Sequence, residues 1–371
     1  MKKILFIFGT RPEAIKMAPL VKEFEKRNNC FDVKVCVTAQ HREMLDQVLI
    51  FFSIHPDYDL NIMKKNQTLF DITAETLKGI ESVLIKEKPD YIFVQGDTTT
   101  AFTGALAGYY LKIPVVHIEA GLRTGNKLSP FPEEMNRILA GHLAEIHFPP
   151  TIKALENLKS EGIEKNVYVS GNTVIDALFL GLNIISGKNE KLILEKFKNI
   201  DFTKKIILVT GHRRESFGKP FENICNALKD ISGKIQGCEI VYPVHLNPNI
   251  RHTVNNMLSG IQNIHLIEPL DYPDLIWLMN KSYIVLTDSG GIQEEAPSLG
   301  KPVLVMREFT ERIEGVDAGT AKLVGTDRDL IFSETEKLFN DNSYYEKMSK
   351  SVNPYGDGTA SRQIADYMEK F

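Results

Sequence analysis

The stretch Lys3–Lys16 reads KILFIFGTRPEAIK and indicates the fold of this chain. Its apolar run, Ile4–Phe8, is short and continuous, which is typical of a strand buried on both faces of a parallel sheet. Gly9 ends this run, and Pro12 suits the first turn of a helix. Apolar residues then recur at helical spacing as far as Phe24. The stretch therefore predicts a strand, a tight turn and a helix.

A second stretch, Lys205–Glu215, reads KIILVTGHRRE and aligns with the first. Elsewhere, short β-branched runs alternate with longer helical patterns, which is the signature of βαβ units. We therefore predict an α/β protein with two doubly wound, Rossmann-like domains that face a central cleft, because parallel sheets bind ligands at the carboxyl ends of their strands. The predicted strands are Ile4–Phe8, Val33–Val37, Asp90–Gln95, Pro114–Ile118, Ile146–Phe148, Val167–Val169, Lys205–Val209, Glu239–Tyr242, Asn263–Ile267, Tyr283–Leu286 and Pro302–Val305.

The boundary between the two domains is less sharply marked. The polar segment Ile185–Thr203 interrupts the alternation near the chain midpoint. The helical pattern Asn172–Ile185 that precedes it fits either domain. We therefore expect the boundary between about residues 170 and 204.

The composition excludes several classes of protein. With 371 residues, 43% of them apolar, the chain is long enough for two or three domains with sizeable cores. Its 44 Lys and Arg are scattered and balanced by 48 Asp and Glu, so we expect neither nucleic acid nor a membrane surface as a partner. The four cysteines lack metal-ligand spacing, and Ile4–Phe8 is too short for a signal or membrane-spanning segment. A cytoplasmic protein is expected.

Two turns have the residues of an anion site. Arg11 and Lys16 lie in the opening turns of a helix, whose free N–H groups attract anions. Ser289, Gly290 and Gly291 follow a strand, and the glycines allow a diphosphate close to the backbone. Alternatively, the first pair only solubilises the surface and the second turn is structural. The Walker A and Gly-x-Gly-x-x-Gly motifs are both absent, which disfavours a P-loop or nicotinamide-binding protein.

Carboxylates follow several strand ends. Asp97 and Glu119 come just after predicted strands, and Glu133 opens a later helix. In one parallel sheet these ends converge, and acids that meet in a cleft have their pKa values pushed apart, which provides an acid and a base. Alternatively, Asp97 is only a helix N-cap, and Glu133 and Glu134 after Pro132 are an ordinary helix start.

The sequence around several other polar residues indicates their expected roles. His212 lies in the turn after the second repeated strand and suits donation to a phosphate. One of Glu294 and Glu295 suits ribose hydroxyls. His117 and His265 lie in apolar strands and are expected to be core residues. No cluster has metal-ligand spacing and no Gly-x-Ser-x-Gly elbow occurs, so we expect neither a metal nor a serine hydrolase.

Six separated motifs occur in order: GTRPE (9–13), QHREM (40–44), GDTT (96–99), HIEAGLR (117–123), GHRRE (211–215) and TDSGGIQEE (287–295). Together they resemble the non-hydrolysing UDP-N-acetylglucosamine 2-epimerases of bacteria, from Lys3 to the segment NPYGDG (353–358). The resemblance implies a glycosyltransferase-B-like fold, a homodimer, and interconversion of UDP-GlcNAc and UDP-ManNAc for surface polysaccharide synthesis. It also implies one domain of residues 1–171 plus 355–371, whose final helix crosses back, and a UDP-binding domain of residues 172–354.

The resemblance also assigns site residues by motif. Asp97, Glu119 and Glu133 would be the acid/base set, and His212 would contact the diphosphate and assist its departure. The residues that would hold the UDP-sugar besides these are Arg11, Lys16, Ser289, Gly290, Gly291, Glu295 and Arg312.

Regulation and base recognition are also implied by the resemblance. In the family, UDP-GlcNAc can act as an allosteric activator, and Gln40, His41 and Arg213 fall in the segments expected to hold it. This chain departs from its relatives near the uracil, where Leu270 and Leu275 replace a polar and an aromatic residue. Backbone groups are then expected to contact the base.

The chemistry independently suits these residues. The C2 hydrogen of the sugar is not beside a carbonyl, so a carboxylate removes it only as the anomeric C–O bond breaks and positive charge grows at C1. The resulting glycal takes UDP back after protonation on the opposite face, so no redox cofactor is needed. Four alternatives stay open: a glycosyltransferase of the same fold, a hydrolysing epimerase, an epimerase for a UDP-2,3-diacetamido uronic acid, and a nucleotide-sugar sensor without turnover.

Overall fold

The computed structural model of the chain describes residues 1–39, 42–64, 66–211 and 218–371. Contacts divide the chain into unit 1, Met1–Leu180 with Tyr355–Phe371, and unit 2, Gly181–Pro354. Each unit contains a six-stranded sheet in which every strand pair is parallel. The predicted α/β class with two doubly wound sheets is confirmed.

Unit 1 alternates strands and helices through its first 160 residues, and a final helix from the chain end packs on its first helix. Its elements are β1 (Lys2–Phe8), α1 (Arg11–Lys26), β2 (Phe31–Val37), α2 (Arg42–Phe51), β3 (Tyr58–Asp59), α3 (Leu69–Glu87), β4 (Tyr91–Gln95), α4 (Thr99–Tyr110), β5 (Val115–Ile118), α5 (Glu133–Leu143), β6 (Ile146–Phe148) and α6 (Ile152–Ser160). Helix α7 (Thr173–Ile185) contains the boundary between the two units, and α16 (Ala360–Lys370) is the final helix of unit 1.

Unit 2 follows the same alternation. Its elements are α8 (Lys188–Lys196), β7 (Lys205–Thr210), α9 (Lys219–Lys234), β8 (Cys238–Pro243), α10 (Pro248–Leu258), β9 (Ile264–Ile267), α11 (Tyr272–Lys281), β10 (Ile284–Thr287), α12 (Gly290–Ser298), β11 (Val303–Val305), α13 (Ile313–Asp317), β12 (Ala321–Leu323), α14 (Arg328–Asn340) and α15 (Asn342–Ser349).

The two sheets have the same topology. Unit 1 has the order β3-β2-β1-β4-β5-β6, and unit 2 has β9-β8-β7-β10-β11-β12. Counted within each unit, both orders are 3-2-1-4-5-6, which is that of the Rossmann fold. Strands β1 and β7 carry the repeated sequence, and each lies where the strand order reverses. Open α/β sheets bind ligands beside this switch point, so each unit has one such position.

Strand β1 is buried on both faces, as its continuous apolar run predicts. On one face, the Phe6 ring lies 5.5 Å from that of Phe24 and 4.8 Å from that of Phe93. On the other face, Leu5 and Ile7 join the apolar side chains of α3 and α4. Burying each large side chain stabilises the fold by about 1.5–3 kcal/mol, so this core fixes the turn that follows β1.

Some details differ from the sequence prediction. Val167–Val169 is not a strand: Val167 makes only an isolated bridge with His147 before the chain turns at Gly171, whose φ is +85°. The polar segment after α7 contains helix α8, which is anchored by the buried Ile193 and by Phe197, whose ring stacks on Trp277. Strands β3 and β12 have two and three residues, too few for a visible pattern.

Candidate functional site

The switch point of unit 1 holds a buried carboxylate surrounded by donors. Glu119 follows β5 and is 8% exposed. Lys16 Nζ, from α1, lies 2.6 Å from its Oε1 and 2.7 Å from its Oε2. Gln95 Nε2, at the end of β4, donates to Oε2, and Asn172 Nδ2 donates to Oε1 at 3.0 Å. The structure thus brings the predicted residues Lys16 and Glu119 into direct contact.

The backbone of Glu119 is in an unusual conformation. Its φ is +59°, in the left-handed region that residues with a side chain seldom adopt. Gly96, with a φ of +69°, lies against it, since a Cβ on Gly96 would be 3.4 Å from Glu119 Oε2. Strained residues persist where the surrounding structure holds them, and they cluster at functional sites. The strain supports a functional role for Glu119.

Asp97 lies beside this cluster and pairs with α5. Arg137 donates to its carboxylate at 2.5 Å, and Asn136 Nδ2 donates to its carbonyl oxygen at 3.0 Å. Partial burial raises the pKa of Asp97 above its usual range, and the Glu119 carboxylate adds to this rise, while Arg137 and Lys16 oppose it. Thr98, not Asp97, is the side-chain N-cap of α4. The alternative that Asp97 is only a helix N-cap is therefore wrong.

Glu133 and Glu134 have different surroundings. They begin α5, as the Pro-Glu-Glu pattern predicts. Glu134 is buried, and it accepts the N–H groups of Thr124 and Gly125 at 2.9 Å. Glu133 is half-buried, and within the described ranges no side chain or backbone group pairs with its carboxylate. Glu134 is thus structural, because it holds the loop at Thr124 and Gly125. Glu133 makes no such contact within the described ranges.

The turn after β1 joins the turn after β4. Glu13 is 1% exposed, and its Oε2 accepts the N–H groups of Gly9 and Thr10 at 3.0 and 2.8 Å. Its Oε1 accepts the Thr98 hydroxyl at 2.6 Å. Burial raises the pKa of Glu13, whereas these hydrogen bonds lower it.

Arg11 is the first residue of α1 and is half-buried, and among the described residues none pairs with its guanidinium. Arg11 is therefore available to an anion.

The switch point of unit 2 has the features of a phosphate site. Helix α12 starts at Gly290, and in the described part of the chain the side chain of its N-cap Ser289 makes no capping hydrogen bond to the first N–H groups. Arg312 lies against this end, because a Cβ on Gly290 would be 3.2 Å from its Cζ. Its Nε donates to Glu294 Oε1 at 2.8 Å. Positive charge and free N–H groups together attract a phosphate.

Other polar residues complete this end of unit 2. Glu295 is buried, and its Oε1 accepts the Tyr272 hydroxyl at 3.3 Å. Gln293 Nε2 donates to Ser289 O at 3.2 Å, and Thr310 donates to Gln293 Oε1 at 2.7 Å. Glu295 is thus held in place, as a residue that contacts ribose hydroxyls must be.

Some of the expected residues lie outside the described part of the chain: Gln40, His41, His212 and Arg213. Of the two histidines expected in the core, His117 is fully buried, whereas His265 is only half-buried and pairs with Glu239 at 2.5 Å. Within the described ranges, no group of three His, Cys, Asp or Glu side chains is arranged to hold a metal ion. None of the described helices has the length and apolarity to cross a membrane.

Several residues of this site were not predicted from the sequence. Gln95 and Asn172 contact Glu119, Arg137 contacts Asp97, and Tyr272 contacts Glu295. A polar residue at the end of an otherwise apolar strand was a usable signal for Gln95. For the other three residues, the contacts join segments far apart in the chain, and no local pattern indicates them.

Each unit has a parallel sheet of Rossmann topology. The switch point of unit 1 has a carboxylate cluster, and that of unit 2 has a helix end suited to a phosphate. These features define an α/β protein of the glycosyltransferase-B-like class. The sequence profile of the UDP-N-acetylglucosamine 2-epimerase family matches residues 22–369. The UDP-N-acetylglucosamine 2-epimerase of Campylobacter jejuni is 56% identical, over 100% of this chain and 98% of its own. That of Escherichia coli K12 is 55% identical, over 99% and 98%.

A solved structure agrees with these relatives. The UDP-GlcNAc 2-epimerase of Neisseria meningitidis, bound to UDP-GlcNAc, superposes with a TM-score of 0.91 at 51% identity, and the match covers 100% of both chains. The chain belongs to the UDP-N-acetylglucosamine 2-epimerase family, and it is an enzyme of the isomerase class. The resemblance found in the motifs is confirmed.

Proposed function

We propose that this enzyme interconverts UDP-GlcNAc and UDP-ManNAc without releasing free sugar. The observation that carries the proposal is the contact of Lys16 with Glu119 beside the partly buried Asp97. It places two carboxyl groups with different surroundings at one switch point, as acid/base chemistry requires. Family membership supports the substrate, because a relative was solved bound to UDP-GlcNAc.

In the first half-reaction, one carboxylate removes the C2 proton of the sugar. The electron pair of the C2–H bond forms a C1–C2 double bond, and the anomeric C–O bond breaks with its electrons leaving on the diphosphate oxygen. The products are 2-acetamidoglucal, UDP and a protonated carboxyl. Asp97, Glu119 and Glu133 form the acid/base set, and such a group contributes about 10²–10⁴ in rate.

In the second half-reaction, UDP returns to C1 as a carboxyl protonates C2 from the opposite face. Two acid/base groups are needed, one for each face of the sugar. The atoms balance without an oxidant or reductant. The glycal and UDP must stay bound between the two steps, because water would otherwise trap the intermediate.

The departing diphosphate needs positive charge as its negative charge develops. Arg11 and Lys16 supply this charge in unit 1, and Arg312 with the N–H groups of Gly290 and Gly291 supplies it in unit 2. His212 assists UDP departure, and Ser289 and Glu295 hold phosphate and ribose. The two domains of this mechanism are residues 1–171 with 355–371 and residues 172–354.

The enzyme acts as a cytoplasmic homodimer in this proposal, and its product supplies ManNAc-type sugars for surface polysaccharides. Phe70 on α3 and Tyr109 and Tyr110 on α4 are exposed aromatic side chains, a residue type that is enriched at subunit interfaces. UDP-GlcNAc also acts as an allosteric activator through Gln40, His41 and Arg213. Sedimentation velocity tests the dimer, and a sigmoidal dependence of rate on UDP-GlcNAc tests the activation.

Product analysis tests the proposed reaction. Purified enzyme and UDP-GlcNAc are expected to give UDP-ManNAc, with no accumulation of free ManNAc and UDP. Accumulation of free sugar would identify a hydrolysing enzyme, and transfer to an added acceptor without an epimerised donor would identify a glycosyltransferase. Binding with no product would indicate a sensor, and turnover of only a 2,3-diacetamido uronic acid donor would change the substrate.

A further inference from the structure

Asn172 is a buried residue whose polar groups are all used. It is 2% exposed and precedes α7. Its backbone N–H donates to Tyr355 O at 2.7 Å, and its Oδ1 accepts the Val174 N–H at 3.1 Å. Its Nδ2 donates to Glu119 Oε1 at 3.0 Å. Because Oδ1 is taken by a backbone N–H, the amide presents its donor, not its acceptor, to Glu119.

The backbone of Asn172 is also held in place by the segment that begins at Tyr355. Tyr355 is the first residue of the chain segment that returns to unit 1. The two backbones touch beside it, since a Cβ on Gly171 would lie 3.3 Å from Gly356 Cα. The Nδ2 group therefore has a defined position, which a side chain on a loose loop would not have.

The described contacts to the Glu119 carboxylate are all donors. Lys16 reaches both oxygens, Gln95 reaches Oε2 and Asn172 reaches Oε1. A protonated carboxyl must donate its own O–H, whereas a carboxylate only accepts. Donors on both oxygens therefore favour the ionised form.

We propose that Asn172 is a positioning residue of the epimerase, which fixes the Glu119 side chain and keeps it ionised until it accepts the C2 proton. This inference rests on the proposed function. It extends that function because the amide would set the state of a catalytic carboxylate without touching the sugar.

Other charged or titratable groups lie near Glu119 and also affect whether its carboxyl group is ionised. Lys16, from α1, favours its ionised form, and Asp97, after β4, opposes it. His117, two residues earlier on β5, is neutral, because burial lowers its pKa to about 3. Gln95 and Asn172 are the uncharged members of the set, so either one can be converted to a carboxyl of nearly the same shape.

Asn172→Asp tests the proposal through the pH dependence of kcat. The new carboxylate still accepts the Val174 N–H, but at pH 8 it faces Glu119 with a second negative charge. We expect kcat to fall about 100-fold at pH 8, within the range for a disturbed acid/base group. At pH 6 a proton shared by the pair restores a donor, so the ratio of variant to wild-type kcat should rise at least about tenfold.

Two variants serve as controls. Asn172→Ala, which removes the donor without adding charge, should lower kcat about tenfold at pH 8 and pH 6 alike. Asn263→Asp puts a carboxylate in place of another half-buried amide, which donates to Ser232 O at 3.1 Å in unit 2. This variant should keep the wild-type profile. The KM for UDP-GlcNAc should stay within about threefold in Asn172→Asp, because both polar atoms of the amide are hydrogen-bonded within the protein.

A kcat ratio for Asn172→Asp that does not change with pH would overturn the proposal, as would unaltered kcat. If circular dichroism shows that this variant is unfolded, Gln95→Glu carries the same test, because Gln95 donates to the other oxygen. Wild-type enzyme that forms no UDP-ManNAc would contradict the proposed function itself. Active wild-type enzyme with a flat ratio would contradict the role of Asn172 alone.

Discussion

Lys16 Nζ lies within 2.7 Å of both carboxylate oxygens of Glu119, a residue 103 positions further along the chain. Their side chains are 16% and 5% exposed. Strand β4 lies between β1 and β5, so this pair spans the switch point of unit 1. Removing one partner of such a pair leaves an uncompensated buried charge.

Glu119→Gln should lower kcat by about 10²–10⁴, because an amide can neither accept the C2 proton nor balance the charge of Lys16. The measurement is the initial rate of UDP-ManNAc formation. Glu239→Gln is a matched control, since Glu239 is a buried carboxylate paired with Lys204 at 2.6 Å in unit 2. It should lower stability and keep kcat. Glu119→Gln with activity within about tenfold of wild type would remove Glu119 from the acid/base set.

In the pH profile of kcat, the substitution Arg137→Met should shift one limb to higher pH. Arg137 lowers the pKa of Asp97, so its loss lets this pKa rise. The direction is the same whether Asp97 acts as acid or base. Arg123→Met is the control, because Arg123 pairs with Glu161 at 2.7 Å instead. An unshifted limb in Arg137→Met would show that Asp97 does not control the profile.

His117→Gln should reduce the loss of stability on acidification. Burial lowers the pKa of His117 to about 3, so below about pH 6.5 the unfolded chain takes up a proton that the folded protein does not. Wild-type stability therefore falls as pH decreases, by about 2 kcal/mol at pH 5 from this residue. Tm measured at pH 7 and pH 5 should differ less in the variant. The exposed His252→Gln should keep the wild-type difference, and an equal difference in His117→Gln would contradict this account.

Gly290→Ala should weaken UDP binding roughly fivefold, which corresponds to the loss of about 1 kcal/mol. The added Cβ would meet Arg312 at 3.2 Å and displace its guanidinium from the start of α12. Gly233→Ala is the control, because a Cβ there meets nothing within 4 Å. Calorimetric titration with UDP measures both. Equal affinity in wild type and Gly290→Ala would mean that Arg312 does not hold the diphosphate.

The sequence predicted what local patterns encode. The apolar run Ile4–Phe8 and its repeat at Lys205–Val209 lie in β1 and β7, and the motif acids follow strand ends as expected. Val167–Val169 shows the limit, since β-branched residues do not become a strand without a neighbour that pairs along their length. Asn172 and Arg137 could not be predicted for a related reason. Their partners Glu119 and Asp97 are distant in sequence, and only the assembled sheet brings them together.

Proton NMR of the enzyme with UDP-GlcNAc in D₂O tests the central claim most directly, because it follows the C2 hydrogen itself. We predict that UDP-ManNAc forms and that deuterium replaces hydrogen at C2 in both UDP-GlcNAc and UDP-ManNAc, with no free sugar released. UDP-ManNAc that keeps its original C2 hydrogen, or no new sugar and no exchange, would contradict epimerisation through cleavage of the C2–H bond.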